Sequence, residues 1–181
     1  KYLRINEVQI VDIGGKDQFP VAFESFSKVS DFNLINRLGF IRDAEKKQAQ
    51  AAFSSICSIL QKHQFPVPGN PNEIEKTDAI CIGIFIMPDN VTEGMLENLC
   101  LKSIKDKPIY GCINEYIKCI KKFQSDNEKE MFNEPKAFVQ TYLSAQSPIA
   151  NSLGVGAKKG HWDFNNKCFD DIKKFLKELF Q

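Results

Sequence analysis

The sequence predicts an α/β protein built on a mainly parallel sheet flanked by helices, with additional helices toward the C terminus, and three observations carry that expectation. Leu38-Gly39-Phe40-Ile41 and Ile82-Gly83-Ile84-Phe85-Ile86-Met87 are apolar runs that stop abruptly, the first on Arg42-Asp43-Ala44-Glu45 and the second on Pro88-Asp89-Asn90. Each run is followed by a helical pattern, so each reads as a strand feeding a helix. The second run is apolar on both faces, as in a parallel strand covered on both sides. Open α/β sheets bind ligands beyond the carboxyl ends of their strands, which makes the polar residues at those two ends the candidate site.

The elements follow in order. Residues 8–13, Val-Gln-Ile-Val-Asp-Ile, alternate apolar and polar side chains at the period of a half-buried strand and run into the turn Gly14-Gly15-Lys16-Asp17. Two glycines remove Cβ atoms where the backbone turns tightly or approaches a ligand, and a plain strand-to-helix turn is the simpler explanation of them. A helix over 18–28 carries Phe19, Val21, Ala22, Phe23 and Phe26, with Pro20 in its first turn. A strand over 35–42 leads into a helix with Ala49, Ala52, Phe53, Ile56, Ile59 and Leu60 at spacings of three and four. His63 at the end of that helix reads as a satisfied or solvated imidazole. Pro66, Pro68 and Pro71 mark an irregular loop before the strand over 79–87.

Asn90 and Glu93 resemble a capping box opening a helix that buries Met95, Leu96 and Leu99. Pro108 starts another helix, with Tyr110, Ile113, Ile117 and Ile120 on one face and Lys118, Lys121 and Lys122 on a solvated one. Residues 125–130 read as a polar linker. Phe138, Tyr142 and Ala145 mark a helix after Pro135, and Phe169, Ile172, Leu176, Leu179 and Phe180 mark the closing one. Residues 154–160 are not a phosphate-binding P-loop, because no strand precedes them and the Gly-Lys-Ser/Thr ending is missing. Lys158, Lys159, His161 and Trp162 lie either on a stretch that closes over the site or on a solvated loop with Trp162 in the core.

Composition narrows the classes. A chain of 181 residues suits one domain burying roughly 70% of its unfolded surface. With 24 basic and 23 acidic residues, its formal charge of +1 provides no long-range field toward nucleic acid, so such contact would need a local patch. Phenylalanine, at 15 residues against 4 Tyr and 1 Trp, reads as core packing. Cys57, Cys81, Cys100, Cys112, Cys119 and Cys168 include no C-x-x-C pair. That argues against zinc and disulfides and for reduced, mostly buried thiols in a cytoplasmic protein. No apolar run approaches the ~20 residues that span a bilayer, so no membrane contact is expected.

Asp43, Glu45 and Asp89 sit at the ends of two strands that lie close together in a parallel sheet, with Glu93 within a turn of Asp89. Clustered carboxylates repel one another and are stabilised by a hard cation such as Mg²⁺, with Mn²⁺ as a substitute. That is an arrangement for phosphoryl transfer or nucleic-acid cleavage. Asp43 and Asp89 serve equally well as caps for the helices that follow, and spacing alone leaves both readings open. Lys16, Arg42, Lys46 and Lys47 cluster in sequence around the same edge, and Gly14, Gly15, Lys16 and Arg42 are the candidate phosphate-binding set.

The strings 38–45 and 83–90, then Gly94-Met95-Leu96-Glu97, Lys136-Ala137 and Leu143-Ser144-Ala145-Gln146-Ser147-Pro148, resemble an uncharacterised prokaryotic family of Toprim-like domains of DUF3226 type, related to the overcoming-lysogenisation-defect nucleases. The resemblance covers residues 8–180 and implies one three-layer, Rossmann-like domain over 1–181. In Toprim domains a glutamate after the first strand and an Asp-x-Asp pair after a later one hold Mg²⁺ for phosphodiester chemistry. Asp43 and Glu45 resemble that pair, with Glu in place of the second Asp, and Asp89 is a further acid. Relatives carry a Glu-Gly-x-x-Asp strand and a helix ahead of the segment that 8–15 resembles, and residues 1–181 contain no counterpart of either.

Three functions remain as expectations. The first is a Mg²⁺-dependent nuclease or other phosphoryl-transfer enzyme, with Asp43, Glu45 and Asp89 as catalytic, metal-binding acids and Glu93 as a further ligand. The second is a catalytically inactive domain that binds a nucleotide or nucleic acid at the same edge. The third is a protein-interaction module, the partner of an ATPase.

Overall fold

The computed structural model describes Leu3, Ile5 and residues 8–181. Among these residues the strands are β1 (Arg37–Asp43), β2 (Ile74–Lys76) and β3 (Cys81–Met87). The helices are α1 (Phe19–Phe26), α2 (Ala49–Lys62), α3 (Leu96–Lys102), α4 (Pro108–Lys121), α5 (Asp126–Met131), α6 (Glu134–Ser144), α7 (Leu153–Lys158) and α8 (Asp170–Phe180). The chain divides into two compact units, one running to Gly94 and including Asp171–Gln181, the other Met95–Asp170.

The first unit holds a small sheet of order β1-β3-β2. β1 and β3 pair in parallel from Arg37 opposite Cys81 to Asp43 opposite Met87, and β2 adds antiparallel with Ile74 opposite Gly83. The α/β class and the parallel pairing of the two predicted strands are therefore present, on a smaller and more mixed sheet than expected. On one face, Phe40, Ile82, Ile84 and Ile86 join Phe19 and Phe23 of α1 and Phe53, Ile56 and Leu60 of α2 in one core. The rings of Phe19, Phe23 and Phe40 lie 5.7–5.8 Å apart in tilted and edge-on contacts, which accounts for part of the phenylalanine excess.

The opposite face depends on two glycines. Gly39 pairs directly with Gly83, and a Cβ would lie 2.9 Å from Leu179 Cδ2 at the first and 2.7 Å from Phe175 Cε2 at the second. α8 therefore rests on bare backbone, with the Phe85 and Phe175 rings 5.4 Å apart. Arg37 Nη1 donates to the Leu179 carbonyl at 2.6 Å, satisfying an acceptor in the last turn of α8. Phe175 and Leu179 are the buried residues of α8, while Leu176, placed on the apolar face by the sequence, is only partly buried.

Residues 8–13 do not form a strand. Ile10 is 92% exposed. Alternation marks which side chains could be buried, but a strand also needs a partner about 4.8 Å away. Here a cleft of 670 Å³ opens between this segment and β1, lined by both. β2 was not expected either, since its three residues are too short to show a period.

The second unit is helical. Ile113 and Ile117 form the buried face of α4, and Phe138, Val139, Tyr142 and Leu143 that of α6. Met95 is the N-cap of α3, which buries Leu99 and Cys100 and leaves Leu96 36% exposed, contrary to the expected burial of Leu96. The expected linker over 125–130 is helix α5, because Ser125 and Glu128 form a reciprocal capping box. The glycine-containing stretch 154–160 begins as helix α7, capped by Ser152. Trp162 is 2% exposed, its ring tilted against Tyr142 at 5.0 Å and its indole N–H donating to the Leu153 carbonyl, so it is a core residue. Cys57 and Cys100 are buried, whereas Cys112 and Cys119 are exposed, so fewer thiols are buried than expected. Burial, with the charge of Glu97 adding to it, pushes the Cys100 thiol up to about 12. No helix among the described residues is long and apolar enough to cross a membrane.

Gly83→Ala should destabilise the first unit by about 1–3 kcal/mol, because the fully buried Phe175 ring has nowhere to go. Hydrogen exchange of the β3 amides reads that loss directly, and Gly15→Ala, which meets nothing within 4 Å, serves as the neutral control.

Candidate functional site

The polar groups collect where β1 and β3 end together. Asp43, the last residue of β1, stands opposite Met87, and the Ala44 N–H continues the ladder to the Met87 carbonyl at 3.1 Å. Glu45 then adopts φ +60° and exchanges both backbone hydrogen bonds with Gly94, at 2.7 and 2.8 Å. The loops that follow the two strands are thereby stitched together, and Glu93 is next in chain to the stitch.

The Glu45 carboxylate reaches Lys16 Nζ at 3.1 Å, with both side chains about half exposed. Lys16 follows the Gly14-Gly15 turn, in which Gly14 has φ +75° and donates its N–H to Asp12 Oδ1 at 2.9 Å. The Gln18 N–H to Gly15 carbonyl bond of 2.9 Å closes that turn ahead of α1. Arg42 Nη1 donates to Ser55 Oγ at 3.4 Å.

Asp89 and Asn90 shape the turn after β3. Asp89 Oδ1 accepts from the Thr92 N–H at 2.8 Å and from Thr92 Oγ1 at 2.9 Å. Asn90, at φ +64°, accepts the Ile86 N–H on its Oδ1 at 2.7 Å. The antiparallel strand β2 has already ended at that level, since Ile74 pairs with Gly83 and the Asn72 N–H bonds to the Ile84 carbonyl. The Asn90 amide thus substitutes for a missing strand residue. The expected Asn90–Glu93 capping box is absent for this reason, and the Met95 N–H at the start of α3 is instead accepted by Asn98 Oδ1 at 2.9 Å. An asparagine directly after Pro-Asp was the available signal, because Asn tolerates the left-handed region.

All four residues of the expected phosphate-binding set, Gly14, Gly15, Lys16 and Arg42, line the 670 Å³ cleft along β1. Asp43 and Glu45 stand at its C-terminal end, and Asp89 and Glu93 lie on the neighbouring loop. Among the described residues, no three His, Cys, Asp or Glu side chains come together in a set able to hold a metal ion.

A parallel strand pair with helices on both faces and polar groups at its carboxyl ends defines an α/β protein. Within that class, the chain belongs to the DUF3226 family, described as a protein of unknown function, whose family model matches residues 1–181. No curated protein and no solved structure matches it.

Asn90→Ala should cost about 1–3 kcal/mol, because it leaves the Ile86 N–H unpaired and puts alanine in a left-handed conformation. Asn90→Gly, which removes only the hydrogen bond, should cost less; urea denaturation of the three proteins checks the order.

Proposed function

We propose that this chain is a Toprim-like domain that binds a phosphate-bearing ligand, a nucleotide or a nucleic-acid strand, at the carboxyl edge of β1 and β3. The observation that carries this reading is the meeting of Gly14, Gly15, Lys16 and Arg42 on one cleft beside that edge. Two cations on separate elements can address one phosphate group, Lys as a point charge and Arg through its planar fork. Helices packed on both faces of the sheet are in keeping with a three-layer Toprim-like arrangement.

Mg²⁺-dependent phosphodiester chemistry, with Mn²⁺ as a substitute, is the second reading. It is favoured by the strand register, which gives Asp43, Glu45 and Asp89 a common edge. As arranged, the acids do not fit a metal centre. Glu45 is engaged by Lys16, and Asp89 is held in its own turn by Thr92.

Calorimetric titration with AMP tests the first reading. Saturable binding to the wild type that falls roughly tenfold in Lys16→Met is expected for loss of a charge-assisted contact. Absence of binding to the wild type would overturn it. Titration with Mg²⁺ and Mn²⁺ tests the second: it requires saturable uptake that Asp43→Asn weakens while the fold is kept, and it fails if neither protein takes up metal.

A further inference from the structure

We infer that the cleft takes a mononucleotide-like molecule, a flat apolar body carrying a terminal phosphate, and that the Glu45 carboxylate competes with that phosphate for Lys16. This rests on the phosphate-binding reading above and adds the ligand class and a resident competitor.

The cleft has the character of a small-molecule site rather than a track for a polymer. Its 670 Å³ falls within the range of pockets that enclose small ligands. Its polar end holds Gly14, Gly15, Lys16 and Arg42, and its body is lined by Phe26 of α1, by Leu34 ahead of β1, and by Leu38 and Phe40 of β1. A molecule matched to that gradient has one charged end and one apolar, planar end. Inorganic phosphate leaves the apolar part uncovered. A nucleic-acid strand brings its charges at regular intervals, whereas Arg37, the cation at the other end of β1, already donates to the Leu179 carbonyl.

Charge at the polar end agrees. Lys16 is already paired with a carboxylate at 3.1 Å, and the pair is exposed, 49% for Lys16 and 50% for Glu45. Exposed ion pairs are weak, so an incoming phosphate can displace Glu45. The Glu45 backbone is pinned to Gly94 through two hydrogen bonds, so its carboxylate stays within reach of Lys16 and re-forms the pair when the ligand leaves. Arg42 Nη1 donates to the neutral Ser55 hydroxyl at 3.4 Å, and the five-donor guanidinium keeps further N–H groups for the same phosphate. Asp12, held on the Gly14 N–H, adds negative charge beside this turn, so the release of Lys16 from Glu45 favours binding of an anion.

The test is calorimetry with AMP, adenosine, ribose 5-phosphate and a short oligonucleotide lacking terminal phosphates, on the wild type, Glu45→Gln and Leu34→Ala. Leu34 is 74% exposed, so its truncation leaves folding untouched. AMP should bind roughly tenfold more tightly than ribose 5-phosphate, from burial of the base. Leu34→Ala should narrow that advantage without moving ribose 5-phosphate. Glu45→Gln should tighten AMP and ribose 5-phosphate by a common factor of roughly two to five and leave adenosine unchanged. Equal affinity for AMP and ribose 5-phosphate, tighter binding of the oligonucleotide, or no gain in Glu45→Gln overturns this inference while the phosphate reading stands. Adenosine binding as tightly as AMP overturns the phosphate reading itself.

Discussion

Gly39 and Gly83 stand side by side in the parallel ladder, and their missing side chains let Phe175 and Leu179 of α8 lie on the sheet. Much of the first unit depends on that contact. With α8 on one face and α1 and α2 on the other, β3 is covered on both sides, which is why Ile82, Ile84, Phe85 and Ile86 can all be fully buried. The same register brings Asp43 level with Met87 and lets Ala44 extend the ladder by one bond. Both strands therefore end at the same height, and their loops leave together, stitched by Glu45 and Gly94. The carboxyl edge is polar because the backbone emerges from the sheet there.

Magnitudes separate the structural polar groups at this edge from the replaceable ones. Asn90 fills the place of a strand residue on the Ile86 N–H, and leaving such a group unpaired costs about 1–3 kcal/mol. Asp89 is tied to Thr92 through backbone and hydroxyl. The Lys16–Glu45 pair is different. Half exposed and screened by solvent, it contributes about 1 kcal/mol at most, so a ligand can take it apart. The frame of this edge therefore does not depend on the Lys16–Glu45 pair.

Much of this was legible in the sequence, in proportion to how far each signal is local. β1, β3, α2 and the acidic strand ends are readable because long apolar runs and a sustained 3.6 period report burial directly. The glycines within the two runs were visible, but their pairing was not, since register belongs to the tertiary structure. Residues 8–13 have the alternation of a strand and no bonded neighbour, so the pattern was present without the partner. β2 is too short for any period, and Ser125 with Glu128 was a helix signal masked by a charged, polar composition. At the site, the adjacent Gly14, Gly15 and Lys16 could be grouped from sequence proximity, while their meeting with Arg42 and the Lys16–Glu45 pair, 29 residues apart, belong to the tertiary structure.

The central claim is that the cleft along β1 is where this protein meets its ligand. Amide chemical-shift mapping with AMP on the isotope-labelled chain tests it most directly. The account predicts perturbations concentrated on Gly14, Gly15, Lys16, Arg42 and Glu45, extending to Phe26 and Leu34 and leaving α4 through α7 unmoved. Shifts confined to the second unit, or none at saturating ligand, would contradict it.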